Sequence, residues 1–199
     1  MLQNEQDVLP KSLIEEILKT LDSFYFPWYV TFDVSKTDHI LKKVKDFKCV
    51  STYQLSHNII KDGELVSPKL IDLNKQIISH IFSKFKIEKG LVTRSKLNLL
   101  FTNNKVSNDV YNIPHVDVEK ITNKDEKSLV LYLTESDGYT VFFNEKFGED
   151  FDKFTIYNKI YPKQNSAVMF DGNVYHTSQN PIKYDRRIVL NLNFKILDK

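Results

Sequence analysis

Residues 186–194 read Arg-Arg-Ile-Val-Leu-Asn-Leu-Asn-Phe, an alternation of apolar and mixed positions. In a β-strand successive side chains point to opposite faces, so Ile188, Leu190, Leu192 and Phe194 share one side. That side is apolar enough to lie beneath helices, and Arg187, Val189, Asn191 and Asn193 should then look into a barrel. A register error of one residue would exchange the faces and bring Arg186 inward in place of Arg187. Arg186 otherwise reads as a solvated surface charge.

Working back from this strand, residues 96–102, 128–134, 139–144, 154–161 and 166–170 have the same short, β-branched and aromatic texture. The dipeptides Asp137-Gly138 and Asp171-Gly172 mark turns among them. Helical spacing dominates the part before residue 91. Leu13, Ile14, Ile17, Leu18 and Leu21 form one apolar face, with Asp7 as the expected N-cap and Pro10 in the first turn. Ile40, Leu41, Val44 and Phe47 suggest a second short helix capped by Ser35 or Thr37. A third should follow Ser67-Pro68, with Leu70, Leu73, Ile77, Ile81 and Phe85 along a wide stripe. Between these two, Lys61-Asp62-Gly63 indicates a hairpin or long loop over 52–66 that could act as a lid. Helices first and many short strands after predict an α+β chain with a mainly β core, a sandwich or jelly roll backed by N-terminal helices. No linker divides the 199 residues, so the expectation is one domain over 1–199, helix-rich over 1–90 and β over 91–199.

Apolar residues make up 41% and charged residues 27%, ordinary values for a globular protein. A net charge of +2, with lysines dispersed among acids, announces no nucleic-acid patch and no membrane partner. The single cysteine, Cys49, lies between apolar neighbours and is expected to be a buried thiol without a disulfide. The amino terminus lacks the basic-then-apolar pattern of a secretory signal, and cytoplasmic residence is the expectation.

The chemistry concentrates in Tyr111-Asn112-Ile113-Pro114-His115-Val116-Asp117. His115 and Asp117 are one residue apart, so in extended chain both side chains reach the same ion. His176, in the segment Val-Tyr-His-Thr-Ser after the Asp171-Gly172 turn, offers a third ligand. Two histidines and a carboxylate on one face of a metal leave three positions open for substrates. A His-X-Asp pair alone is weak evidence, but a downstream histidine after a strand and turn, followed by an arginine opening the next strand, agrees with one architecture. His39 and His80 fall on helical patterns and read as structural or surface residues; His57 stays unassigned.

With these residues in view, the stretch from 91 to 194 resembles the 2-oxoglutarate and iron(II) dependent oxygenase superfamily. The likeness is to its prolyl-4-hydroxylase-like branch and to small members carried by phages. The resemblance implies a double-stranded β-helix barrel in which His115, Asp117 and His176 hold Fe(II). It implies that Arg187, whose guanidinium matches a carboxylate, anchors the distal end of the co-substrate 2-oxoglutarate. Val189 stands where the family usually has serine, which removes one hydroxyl contact. Tyr132 corresponds to a tyrosine that touches the same carboxylate, and Asn98 and Thr140 are further candidates to face the cavity. The implied reaction consumes O2, converts 2-oxoglutarate to succinate and CO2, and hydroxylates a C–H bond, with ascorbate as an accessory reductant. Relatives that halogenate have a small residue in place of Asp117, so the retained aspartate favours hydroxylation. The partner is then a small-molecule or peptidyl substrate, and the residues around Trp28, Tyr53, Gln54 and His57 could shape its pocket. Two other classes suit the same ligands: a cupin-like barrel that binds without catalysis, and a zinc hydrolase.

Overall fold

The computed structural model describes residues 2–32, 47–50, 52–103, 107, 109–119 and 125–197. Strand β1 (Gln3–Glu5) leads to helix α1 (Lys11–Leu21), whose Leu13, Ile14, Ile17 and Leu21 are buried along one face. Pro10, not Asp7, occupies the N-cap of α1. Asp7 sits in the left-handed region at φ 52°, and the chain after it is tied elsewhere: the Val8 amide donates to the Asn165 carbonyl and the Leu9 amide to the Asn165 side chain. Strands β2 (Tyr29–Thr31) and β3 (Cys49–Val50) follow. The expected helix around Ile40, Leu41 and Val44, together with His39, lies outside the described residues.

The segment proposed as a lid is instead part of the scaffold. Gln54–Lys61 forms β4, which pairs along β6 (Gly90–Phe101), and only the short return strand β5 (Glu64–Leu65) completes the hairpin. Asp62 and Gly63 both have positive φ, as a tight two-residue turn requires. The apolar side of β4 has a sheet neighbour to pair with and helices to pack on, so it is held rather than free to close. A 3-10 turn over Pro68–Leu70 then feeds α2 (Ile71–Lys84), where His80 is exposed.

The later strands are β7 (Tyr111–Asn112), β8 (Glu126–Tyr132), β9 (Thr140–Lys146), β10 (Ile156–Ile160), β11 (Ala167–Asp171), β12 (Val174–Ser178) and β13 (Arg186–Ile196). Among the described residues, an eight-stranded sheet has the order β1-β11-β8-β13-β6-β4-β2, with β5 on β4. A second sheet has the order β10-β9-β12, and β7 pairs in parallel with β3. From β6 onward the chain crosses repeatedly between the large sheet and the smaller one, which is the winding of a jelly roll.

Each sheet face has its own packing. The outer face of the large sheet buries Leu97, Leu99, Leu131, Ile188, Leu190 and Phe194 against α1 and α2. Ser95 on that face donates a 2.7 Å hydrogen bond to Asn74 of α2, so the polar atoms of the contact are satisfied in part by each other. Between the sheets, Val130, Tyr132, Phe142, Val168, Phe170 and Val189 close one end of the barrel. On the far side of the smaller sheet an aromatic cluster of Tyr111, Phe143, Phe154 and Tyr175 packs with Phe47. Cys49, beside Tyr111, is half-buried rather than buried.

The assignment of faces on 186–194 is therefore as the alternation predicts, with Leu190 wholly enclosed on the helix side. Leu190→Ala should lower unfolding stability by about 2–5 kcal/mol, because the surrounding sheet and helices close only partly around the void. Urea denaturation followed by circular dichroism measures this; a loss below about 1 kcal/mol would mean the helix layer does not depend on β13.

Candidate metal centre

The residues that bring the site together are backbone groups. His115 and His176 exchange two N–H···O=C hydrogen bonds of 2.9 Å, an antiparallel bridge that extends the smaller sheet past β12. Asn112 reinforces it: its side-chain amide donates to the Ser178 hydroxyl at 3.0 Å, while its carbonyl accepts from Thr177 at 2.7 Å. Two residues further on, the amides of Asp117 and Val118 both donate to the carbonyl of Gly172, at 3.1 and 3.0 Å. A Cβ on Gly172 would stand 2.7 Å from Val118 Cγ2, so the close approach that fixes Asp117 requires glycine there.

The three side chains converge as a result. One nitrogen or oxygen atom from each of His115, Asp117 and His176 lies within 4.8 Å of the others, a spacing that could hold a metal ion. His176 Nε2 is 3.6 Å from Asp117 Oδ2, and both side chains are almost fully buried. In both histidines Nδ1 faces a backbone carbonyl, Ile113 at 3.3 Å and Val174 at 3.1 Å. An Nδ1–H donated there leaves the Nε2 lone pair available to a cation. Phe170 packs edge-on to the His176 ring and Phe142 lies alongside it, which limits its rotation.

Electrostatics keeps His115 and Asp117 in their metal-binding forms. Burial, helped by the neighbouring His176, pushes His115 down to about 4, so it is neutral at physiological pH. Burial would raise the Asp117 carboxyl, but His176, Arg94 and His115 outweigh it and hold that carboxyl well below the usual range.

A cavity of about 270 Å³ opens beside the three residues and runs between the sheets, lined by Arg94, Asn98, Val130, Thr140, Arg187 and Asn191 among others. Arg187 is buried in its wall and Arg186 is not: Arg186 pairs with Asp22 on the surface through two hydrogen bonds of 2.6 and 3.0 Å. Arg187 donates to the Thr140 hydroxyl at 2.7 Å, and Tyr132 donates to the same oxygen at 2.8 Å. The Tyr132 ring lies under the guanidinium at 5.6 Å, fully buried behind Thr140. Burial pushes the Tyr132 phenol up and the Arg187 guanidinium down. Among the described residues, Arg187 Nε, Asn98 Oδ1 and Asn191 Oδ1 are buried without a hydrogen-bond partner. Such atoms are costly unless a polar ligand meets them, and an amide can turn either its oxygen or its nitrogen toward one.

Of the residues expected near a substrate, Gln54 lines the cavity. Trp28 packs with the helix-side core, Tyr53 is exposed, and His57 points outward, bonded to the Pro27 carbonyl and the Ser67 hydroxyl. Arg94 and Lys96 escaped the sequence reading. The signal for them was the polar alternation Arg94, Lys96, Asn98 opposite Ser95, Leu97, Leu99, which continues the inward face past the start assigned to that strand.

Gly172→Ala should disturb the pairing that carries Asp117. Stability should fall by about 1–3 kcal/mol from overpacking against a stiff valine. Affinity for Mn(II), measured by calorimetry, should fall at least about tenfold, the effect expected when support for a ligand is lost. Unchanged Mn(II) affinity would mean the Gly172 carbonyl does not position Asp117.

No family model and no curated protein matches the sequence. Solved structures do. An oxidoreductase of the 2OG-Fe(II) oxygenase family from Burkholderia pseudomallei is similar over all of this chain and 85% of its own, at TM-score 0.63 and 13% identity. The non-heme α-ketoglutarate dependent epimerase of nogalamycin biosynthesis is similar over 98% of this chain and 78% of its own, at TM-score 0.62 and 10% identity. A prolyl hydroxylase from Trichoplax adhaerens, solved with a hypoxia inducible factor peptide fragment, is similar over 98% of this chain and 83% of its own, at TM-score 0.56 and 13% identity. The chain has the double-stranded β-helix fold that these oxygenases share.

Proposed function

We propose that the protein is an iron(II) and 2-oxoglutarate dependent dioxygenase that hydroxylates a C–H bond of a small-molecule or peptidyl substrate, acting as one unit over its 199 residues. The observation that carries this is the pairing of two features in one cavity: His115, Asp117 and His176 gathered within reach of one ion, and a buried arginine with an unpartnered nitrogen in the same wall.

The residues fit the cofactors. Two imidazoles and a carboxylate suit a divalent iron and leave coordination positions free. When bound, iron(II) and the keto acid supply the oxidative chemistry, in which O2 and 2-oxoglutarate yield succinate, CO2 and one oxygen atom inserted into the substrate. The chain's own residues bind, orient and exclude water. Arg187 would take the distal carboxylate through two parallel hydrogen bonds, and the Thr140 hydroxyl, which accepts from both Arg187 and Tyr132, fixes the angle of that guanidinium. Tyr132 would act from behind through Thr140. Val189, at the position where the family usually has serine, supplies an apolar wall together with Val130, which keeps water from the reacting groups. A buried arginine lining the cavity wall favours this reading over a zinc hydrolase or a cupin-like binding barrel, neither of which needs a dicarboxylate anchor.

Protein supplied with iron(II) and 2-oxoglutarate in air should form succinate, at least as slow uncoupled turnover, detected by mass spectrometry. His176→Ala should abolish it. Arg187→Ala should raise the 2-oxoglutarate concentration required by about 30-fold or more, the cost of leaving a charge-assisted carboxylate contact unmade, with Mn(II) affinity retained. Equal loss of metal and keto-acid binding in the arginine variant would contradict its role as anchor.

A further inference from the structure

The inner face of β6 presents two cations beyond the arginine that anchors the co-substrate. Arg94, Lys96 and Asn98 alternate on this face, opposite Ser95, Leu97 and Leu99, which pack toward α2. Lys96 is only 8% exposed, and among the described residues it has neither a hydrogen bond nor an ion pair within contact distance. Its charge has Arg94 against it and Asp117 in its favour, and an ammonium with no hydrogen-bonded partner in such a place is expensive unless an anion arrives to meet it. Burial and the adjacent Arg94 push Lys96 down to about 8. Arg94 is more open, with a third of its side chain exposed, and approaches Asp117 Oδ1 at 3.5 Å.

Position separates this pair from the arginine already assigned. Along β13, Arg187 is aligned with Leu100 of β6, whereas Asn191 is aligned with Lys96 and Asn193 with Arg94. Arg94 and Lys96 therefore occupy the other end of the strand pair, on the side of Asp117. The acids on the cavity wall are Asp117 and the exposed Glu119. A carboxylate that serves a metal has less charge to offer an arginine, so a loaded site leaves Arg94 and Lys96 with less of their charge answered by Asp117.

We propose that Arg94 and Lys96 form a receptor for an anionic group, carboxylate or phosphate, on the substrate to be oxidised. This rests on the oxygenase reading, and it narrows the substrate to a molecule with negative charge close to the carbon that reacts. The guanidinium at the mouth meets the anion first, and the buried ammonium completes its desolvation.

Paramagnetic relaxation tests it with defined probes. Protein loaded with Mn(II) and saturating 2-oxoglutarate is titrated with inorganic phosphate, read by phosphorus relaxation, and separately with acetate, read by proton relaxation. In the wild type, saturable relaxation of one or both is expected, and the stronger response identifies the anion class. Arg94→Gln and Lys96→Met should each weaken it at least about tenfold, the loss expected for one charge-assisted contact. Lys96→Met should leave 2-oxoglutarate affinity unchanged and should melt no lower than the wild type, since it removes a buried charge. Relaxation equal in variants and wild type, or none in the wild type, would overturn the assignment. A Lys96→Met protein that loses 2-oxoglutarate instead would overturn it by giving that lysine to the co-substrate. Failure of the wild type to bind 2-oxoglutarate at all would bring down the oxygenase reading, and this receptor with it.

Discussion

Two backbone hydrogen bonds between His115 and His176 are the constraint on which the site depends. They join the segment after β7 to β12, parts of the chain far apart in sequence, and fix their register. Because side chains alternate along extended chain, a shift of one residue would turn His176 away from Asp117 while leaving the sheet intact. The neighbouring contacts guard against that slip. Asn112 bonds across to Ser178 and Thr177, and the Gly172 carbonyl holds the amides of Asp117 and Val118. Main-chain pairing has few alternatives once the apolar faces are buried, so three side chains inherit its precision without relying on contacts among themselves.

The large sheet serves two purposes because its two faces never mix. Ile188, Leu190 and Phe194 on β13, with Leu97 and Leu99 on β6, anchor the helices and carry most of the burial. The opposite faces of the same strands hold Arg187, Asn191, Lys96 and Asn98, groups that would be destabilising in a core. Helix-side packing sustains a rigid sheet on which an unfavourable polar wall can be built. The cost is visible, among the described residues, in the unpartnered atoms of Arg187, Asn98 and Asn191, and in the desolvation of the Lys96 ammonium. These are the groups whose free energy improves when a ligand enters, which is what separates a binding cavity from a packing defect.

Charge is graded along that wall. Arg187 lies deep, braced by Thr140 and stacked on Tyr132, whereas Arg94 is partly open to solvent beside Asp117. A diacid held deep and an anionic substrate admitted nearer the surface would each meet a cation without competing for the same one. The apolar patch of Val130 and Val189 between the sheets keeps the intervening space poor in water.

The sequence by itself determined most of the strands late in the chain, though not β12 (Val174–Ser178), which face of 186–194 is apolar, and that His115 and Asp117 share a side, because all three follow from a period of two. It also separated Arg187 from Arg186, since the apolar partners of each are local. Tertiary structure alone decided that 54–61 is a scaffold strand and not a lid, because its partner β6 is distant in sequence and supplies the hydrogen bonds that hold it. It alone decided that the chain after Asp7 is tied to Asn165 through the amides of Val8 and Leu9, with Pro10 and not Asp7 at the N-cap of α1. Arg94 and Lys96 were written in the alternation of β6, yet their meaning depended on which metal-ligand residues would face them. Pairing across sheets is set by the sum of many weak contacts between remote segments, and no local pattern encodes that sum.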